Sequence, residues 1–237
     1  MGIVTALSTV ADGSMYNRQD MTDQSVIANR TKFLAVRDIA MTQTTRLHPT
    51  FDKQDFCIYR EIDELDQGLG MTDDTGIRAD AIITTQPNHA LFLPVADCVG
   101  ASIYDPRHNV LALAHLGRHN LEQGGAHKII AHLAHRYGSN PSDLQIQLTP
   151  AAGKREYKIW ALENKGMKEA THEQLASAGI LPSNIIDNTV ETTNNPDYYS
   201  YSQFLQGNRD EDGDHAIMAM ITNERELNKP AGFDRIN

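Results

Sequence analysis

The chain has 237 residues, a net charge of −10, 40% hydrophobic and 22% charged residues. That composition is ordinary for a soluble globular protein, and the acidity speaks against a general nucleic-acid binder, which needs a basic footprint. Two cysteines, Cys57 and Cys98, rule out a disulfide-stapled secreted scaffold, and no apolar run reaches the length of a membrane span.

The first residues, MGIVTALSTVADGSM, hold no basic segment followed by a long apolar one, so no signal peptide is expected. The expectation is a cytoplasmic protein with neither nucleic-acid nor membrane partners, as a monomer or small homo-oligomer. Residues 3–9 alternate weakly and read as a strand, and ADG then marks a turn. Thr22 or Asp23 can cap a helix running to about residue 36, because Val26, Ile27, Arg30, Phe33 and Leu34 recur at helical spacing. Residues 56–62 alternate as a strand. "DELDQGLGMTDDTG" (63–76) is rich in Gly and Asp and reads as a loop. Residues 81–85 and 90–95 are β-like runs split by "QPNH". Residues 99–104 and 110–115 are β-like runs split by "DPRHN".

A helix is expected over 120–137, capped by Asn120 and stopped by Gly138. A strand over 144–149, a helix over 164–178 and a strand over 216–221 complete the pattern. Strands outnumber helices and do not alternate with them regularly, which predicts a mixed α/β domain with helices covering sheets. It is expected to span residues 1–222, with a polar tail over 223–237.

Chemistry concentrates in "PVADCVGASIYDPRHNVLALAHLGRHN" (94–120). Cys98 precedes one apolar run and His115 closes the next, so strand ends can bring them together. The pair reads as a thiolate–imidazole site, as part of a metal site, or as two buried side chains in a hairpin. Asp97 either orients His115 or satisfies backbone donors. The chain has no HExxH, CxxC, GxSxG, GxxxxGK[ST] or GxGxxG motif, which removes the usual zinc-protease, hydrolase, phosphate-loop and dinucleotide readings.

"RADAIITTQPNHALFLPVADCVGASIYDPRHNVLALAHLGR" resembles the YfiH-like family, also called laccase-domain or multicopper polyphenol oxidase-like proteins. The family's ADAL(V)T, TADC and HAGWRG elements correspond to residues 79–85, 95–104 and 115–120. "STVADGSM", "NRTKFL", "YGSNPSDLQIQLTPAAGKREYKI" and "YYSYSQFLQGNRDEDGDHAIMAMI" resemble further family segments in the same order. The resemblance implies a single α/β/β/α layered domain with mixed sheets, shared with a bacterial deamidase toxin. It implies a zinc-dependent purine nucleoside phosphorylase, with adenosine deaminase-type activity, acting on nucleoside and phosphate.

The family's metal is held by one Cys and two His, which carries over to Cys98 and His115. His48 is the nearest imidazole for the third position. Zinc is the expected ion, since a multicopper site needs several His and Cys together. The chain departs from the family where HAGWRG has become HLGRHN and SYRR has become SYSQ. Arg118 and His119 are the groups left to serve a phosphate. Two alternatives stand beside this enzyme: a metal-free thiol hydrolase with Cys98 as nucleophile and His115 as base, and a degenerate ligand-binding member.

Overall fold

The computed structural model describes residues 1–50 and 54–223 of the chain. In chain order its strands are β1 (Gly2–Leu7), β2 (Thr44–His48), β3 (Tyr59–Glu61), β4 (Ile77–Arg78), β5 (Ala81–Thr84), β6 (Ala90–Val95), β7 (Val99–Asp105), β8 (Val110–Leu116), β9 (Gln145–Leu148), β10 (Ile185–Asp187) and β11 (His215–Thr222). Its helices are α1 (Gln24–Ala35), α2 (Arg118–Glu122), α3 (Gly125–Tyr137), α4 (Met167–Ser177) and α5 (Tyr201–Leu205). Among the described residues no helix is long and apolar enough to cross a membrane.

One sheet has the order β1-β11-β6-β2-β4 and the other β10-β9-β7-β8-β5-β3. Both are mixed. In the first, β1, β11 and β6 pair antiparallel, then β6–β2 and β2–β4 run parallel. In the second, β9–β7, β7–β8 and β8–β5 are antiparallel, while β10–β9 and β5–β3 are parallel.

Side-chain alternation assembles the layers. On β8, Leu111 and Leu113 join Leu91, Leu93, Ile217 and Ile221 in a core between the sheets. The intervening Val110, Ala112 and Ala114 turn the other way, onto Ile129, Ile130 and Leu133 of α3. On β11, Ala216, Met218 and Met220 pack with Phe33 and Leu34 of α1. Each central strand is thus apolar on both faces, and a helix layer covers each sheet. This is the α/β/β/α layering that the sequence implied.

Three local expectations change. The runs around "QPNH" do not pair: β5 lies in the second sheet and β6 in the first. Both are buried on both faces, so neither shows the alternation that would name its partner. The helix expected over 120–137 is broken into α2 and α3 at Gly124, whose φ of +76 no ordinary helical residue adopts. Asn120 therefore lies inside α2, and its side chain donates to the Phe56 carbonyl at 2.6 Å instead of capping. The strand expected over 56–62 shortens to β3. Asp23 does cap α1, accepting from the Ser25 and Val26 amides, and Gly138 does end α3. The polar tail lies outside the described residues apart from Asn223.

Candidate active site

The ends of several strands meet at one edge of the two-sheet core: β2 at His48, β6 before Asp97, β8 at His115 and β11 after Asp214. In the β7–β8 ladder Gly100 lies opposite His115. Side chains alternate, so Cys98, two residues before Gly100, stands on the same face, diagonal to His115. Gly117 follows β8 and sits against both. A Cβ there would fall 2.6 Å from His115 Cε1 and 3.2 Å from Cys98 Sγ. The missing side chain leaves room for ring and sulfur together.

Burial sets the protonation of this pair. It pushes the Cys98 thiol up to about 12, and the Asp97 and Asp214 charges add to the effect; the Arg118 backbone N–H opposes it. Burial also pushes His115 down to about 4. At neutral pH the site therefore holds a protonated sulfur beside a neutral imidazole. His48 is likewise pushed down to about 4 by burial and then by the Arg46 and Arg78 charges, although Asp74 Oδ1 lies 3.4 Å from its Nδ1.

Cys98 and His115 line a cavity of about 530 Å³, within the usual range for small-molecule sites. His48, Arg118 and His119 line it too, so the five residues singled out from sequence share one cavity. The His119 ring stacks on Phe56 with centroids 4.8 Å apart and planes 20° apart. Arg118 has only donors, so its 3.1 Å hydrogen bond to His119 makes Nε2 the acceptor and leaves the proton on Nδ1, facing Glu122 at 3.6 Å. At the opposite wall Arg18 donates to Asp214 at 2.6 Å and to Asp212, and its guanidinium lies 4.3 Å over the Tyr201 ring. Burial pushes Asp214 up to about 6 against the pull of Arg18.

The expected three-ligand set is not assembled. Among the described residues no three His, Cys, Asp or Glu side chains are grouped closely enough to hold a metal ion. His48 ends β2 in the first sheet, whereas His115 lies in β8 of the second and Cys98 directly precedes β7. His48 lines the same cavity as the pair.

Asp97 satisfies a backbone donor, one of the two roles expected for it. Its carboxylate accepts from Thr192 Oγ1, Ser200 Oγ and the Ser202 amide, each at 2.7 Å, tying distant segments to the edge of the site.

Sequence reasoning missed Asp80, Phe56, Arg18 and Asp214 as cavity residues. Asp80 carried a faint signal as a charge directly before an apolar strand; Arg18 and Asp214 meet only through a contact 196 residues apart.

The sequence model of the family described as multi-copper polyphenol oxidoreductase laccase matches residues 14–168. A purine nucleoside phosphorylase of Bacillus subtilis is 28% identical over 102 residues, 42% of this chain and 37% of that protein. A purine nucleoside phosphorylase of Corynebacterium glutamicum is 35% identical over 80 residues, 34% of this chain and 32% of that protein. The chain thus spans about a third of the length of these curated relatives. The crystal structure of YlmD from Geobacillus stearothermophilus superposes with a TM-score of 0.80 at 19% identity, covering 94% of this chain and 93% of that one, a likeness of fold.

Proposed function

The chain belongs to the multi-copper polyphenol oxidoreductase laccase family, and on that premise we propose that it acts on purine nucleosides, by phosphorolysis or deamination. The observation that carries this reading is the single cavity in which Cys98, His115, Arg118 and His119 meet an aromatic face. Relatives named purine nucleoside phosphorylases support it.

Multicopper sites draw on several His and Cys ligands together, and among the described residues no such group occurs. Cys98 and His115 offer one sulfur and one neutral imidazole, the donor types of zinc, and zinc is the ion proposed for them. Bound there, zinc would supply Lewis-acid charge at the cavity floor and the counter-charge that a buried thiolate needs. The set has two members where catalytic zinc sites have three protein ligands.

The remaining roles fall to the chain itself. The Phe56–His119 stack presents a flat face to a purine ring. Arg118, beside it, holds the attacking phosphate by charge-assisted hydrogen bonds, with His119 fixing its orientation. A metal-free thiol hydrolase is less well supported, because a thiol near 12 beside an imidazole near 4 keeps the proton on sulfur.

The test is chromatographic assay of adenosine and inosine with the purified, zinc-supplemented protein, with and without phosphate. Phosphate-dependent release of free base identifies phosphorolysis, and conversion of adenosine to inosine identifies deamination. Phosphorolysis should fall at least about 100-fold in Arg118→Ala, and either activity in His115→Ala. No product from either nucleoside overturns the reading.

A further inference from the structure

Asp80 precedes β5 and is 1% exposed, yet it lines the cavity. Its Oδ2 accepts from the Ile58 amide at 3.0 Å. Its Oδ1 is buried and makes no hydrogen bond of normal geometry among the described residues. The Thr50 hydroxyl lies beside this carboxyl and lines the same cavity; it too makes no hydrogen bond of normal geometry among the described residues.

A buried acceptor left without a donor is costly, and in a native cavity such an oxygen commonly marks the place of a ligand group. The backbone holds the carboxyl at the site, because the His115 amide donates to the Asp80 carbonyl at 2.8 Å. Phe56, two residues before Ile58, is fixed through its own carbonyl and amide by Asn120 and Gln123. The carboxyl and the aromatic face are therefore parts of one rigid corner.

We infer that Asp80 reads the edge of the purine base: its Oδ1 accepts a hydrogen bond from an N–H of a ring system lying on the outer face of the Phe56–His119 stack, and Thr50 donates to the adjoining ring nitrogen or oxygen. This rests on the purine reading given above and adds the substrate class, a purine that carries a hydrogen-bond donor on its edge. The exocyclic amine of a 6-aminopurine and the N1–H of a 6-oxopurine both meet it. A purine without an N–H leaves the Asp80 oxygen unpaired and binds poorly. Asp80 acts in specificity and takes no part in bond breaking.

The test compares adenosine with purine riboside, which lacks the amine, by titration calorimetry without phosphate. The unmodified protein and Asp80→Asn are both measured. The substitution keeps an oxygen for the Ile58 amide and replaces the free acceptor by an NH2 donor. The unmodified protein should bind adenosine at least about ten-fold tighter than purine riboside. In D80N adenosine should weaken by a similar factor while purine riboside changes by less than about two-fold, so the preference disappears.

An adenosine preference that survives in D80N overturns the assignment of Asp80. Equal affinities in the unmodified protein overturn it without any variant, which decides the matter even where D80N fails to fold. Binding of neither nucleoside by the unmodified protein overturns the purine reading itself, an outcome distinct from both.

Discussion

His215 at the start of β11 is fully buried, and neither ring nitrogen has a hydrogen-bond partner among the described residues. Its ring meets Tyr198 edge-on at 5.2 Å. Burial pushes it down to about 4, against the pull of Asp97. The folded value lies below the unfolded one near 6.5, so the unfolded chain takes up the proton first as pH falls. The stability that neutral His215 contributes is complete above about pH 6.5 and is lost as pH falls toward 4. Urea melts at pH 7 and 4.5 should show a loss of about 2–3 kcal/mol through this residue, absent in His215→Leu.

Cys98 should react slowly with iodoacetamide at pH 8, and the half-buried Cys57 should label first, as read by peptide mass spectrometry. Replacing Asp97 by Ala removes three hydrogen bonds to a buried carboxylate and should cost about 3 kcal/mol or more in a denaturant melt. At this scale the sequence identified Cys98 and His115 and offered a backbone donor as a partner for Asp97, but not its two hydroxyl partners, which lie 95 and 103 residues away in the chain.

Among the elements, the β7–β8 hairpin was legible because "DPRHN" is a turn between two runs of equal length, and its register alone puts Cys98 diagonal to His115. The β5–β6 connection was not, because strands buried on both faces carry no polar side to name their sheet. Two glycines separate local strain from site geometry. Gly124 breaks the helix at positive φ with no atom within 4 Å of an added Cβ, so Gly124→Ala should cost about 1 kcal/mol of stability and leave nucleoside binding unchanged. Gly117 has ordinary φ but no space, so Gly117→Ala must displace His115 or Cys98. It should cost about 1–3 kcal/mol in a thermal melt and sharply reduce the nucleoside turnover proposed above.

Across the whole molecule, the inter-sheet core and the helix-side core share the central strands. Leu113 points into the first and Ile130 closes the second. Each substitution to Ala should remove about 2–5 kcal/mol. If residues 1–222 unfold as one unit, as the sequence suggests, calorimetry should show both variants lowering the same single transition by about 2–4 °C per kcal/mol. Two transitions moving independently would count against a single domain.

The sequence by itself determined the alternation of apolar faces, the principal turns and caps, and the family's motif order, because these are local patterns of neighbouring side chains. It placed Cys98, His115, Arg118, His119 and His48 as candidates, and all five line one cavity. Only the tertiary structure decided which strands share a sheet, that His48 reaches the cavity from the opposite sheet to His115, and that Arg18, Asp80 and Asp214 face the same space. Those outcomes depend on how two sheets stack and how far their edges approach. No spacing along the chain encodes that distance.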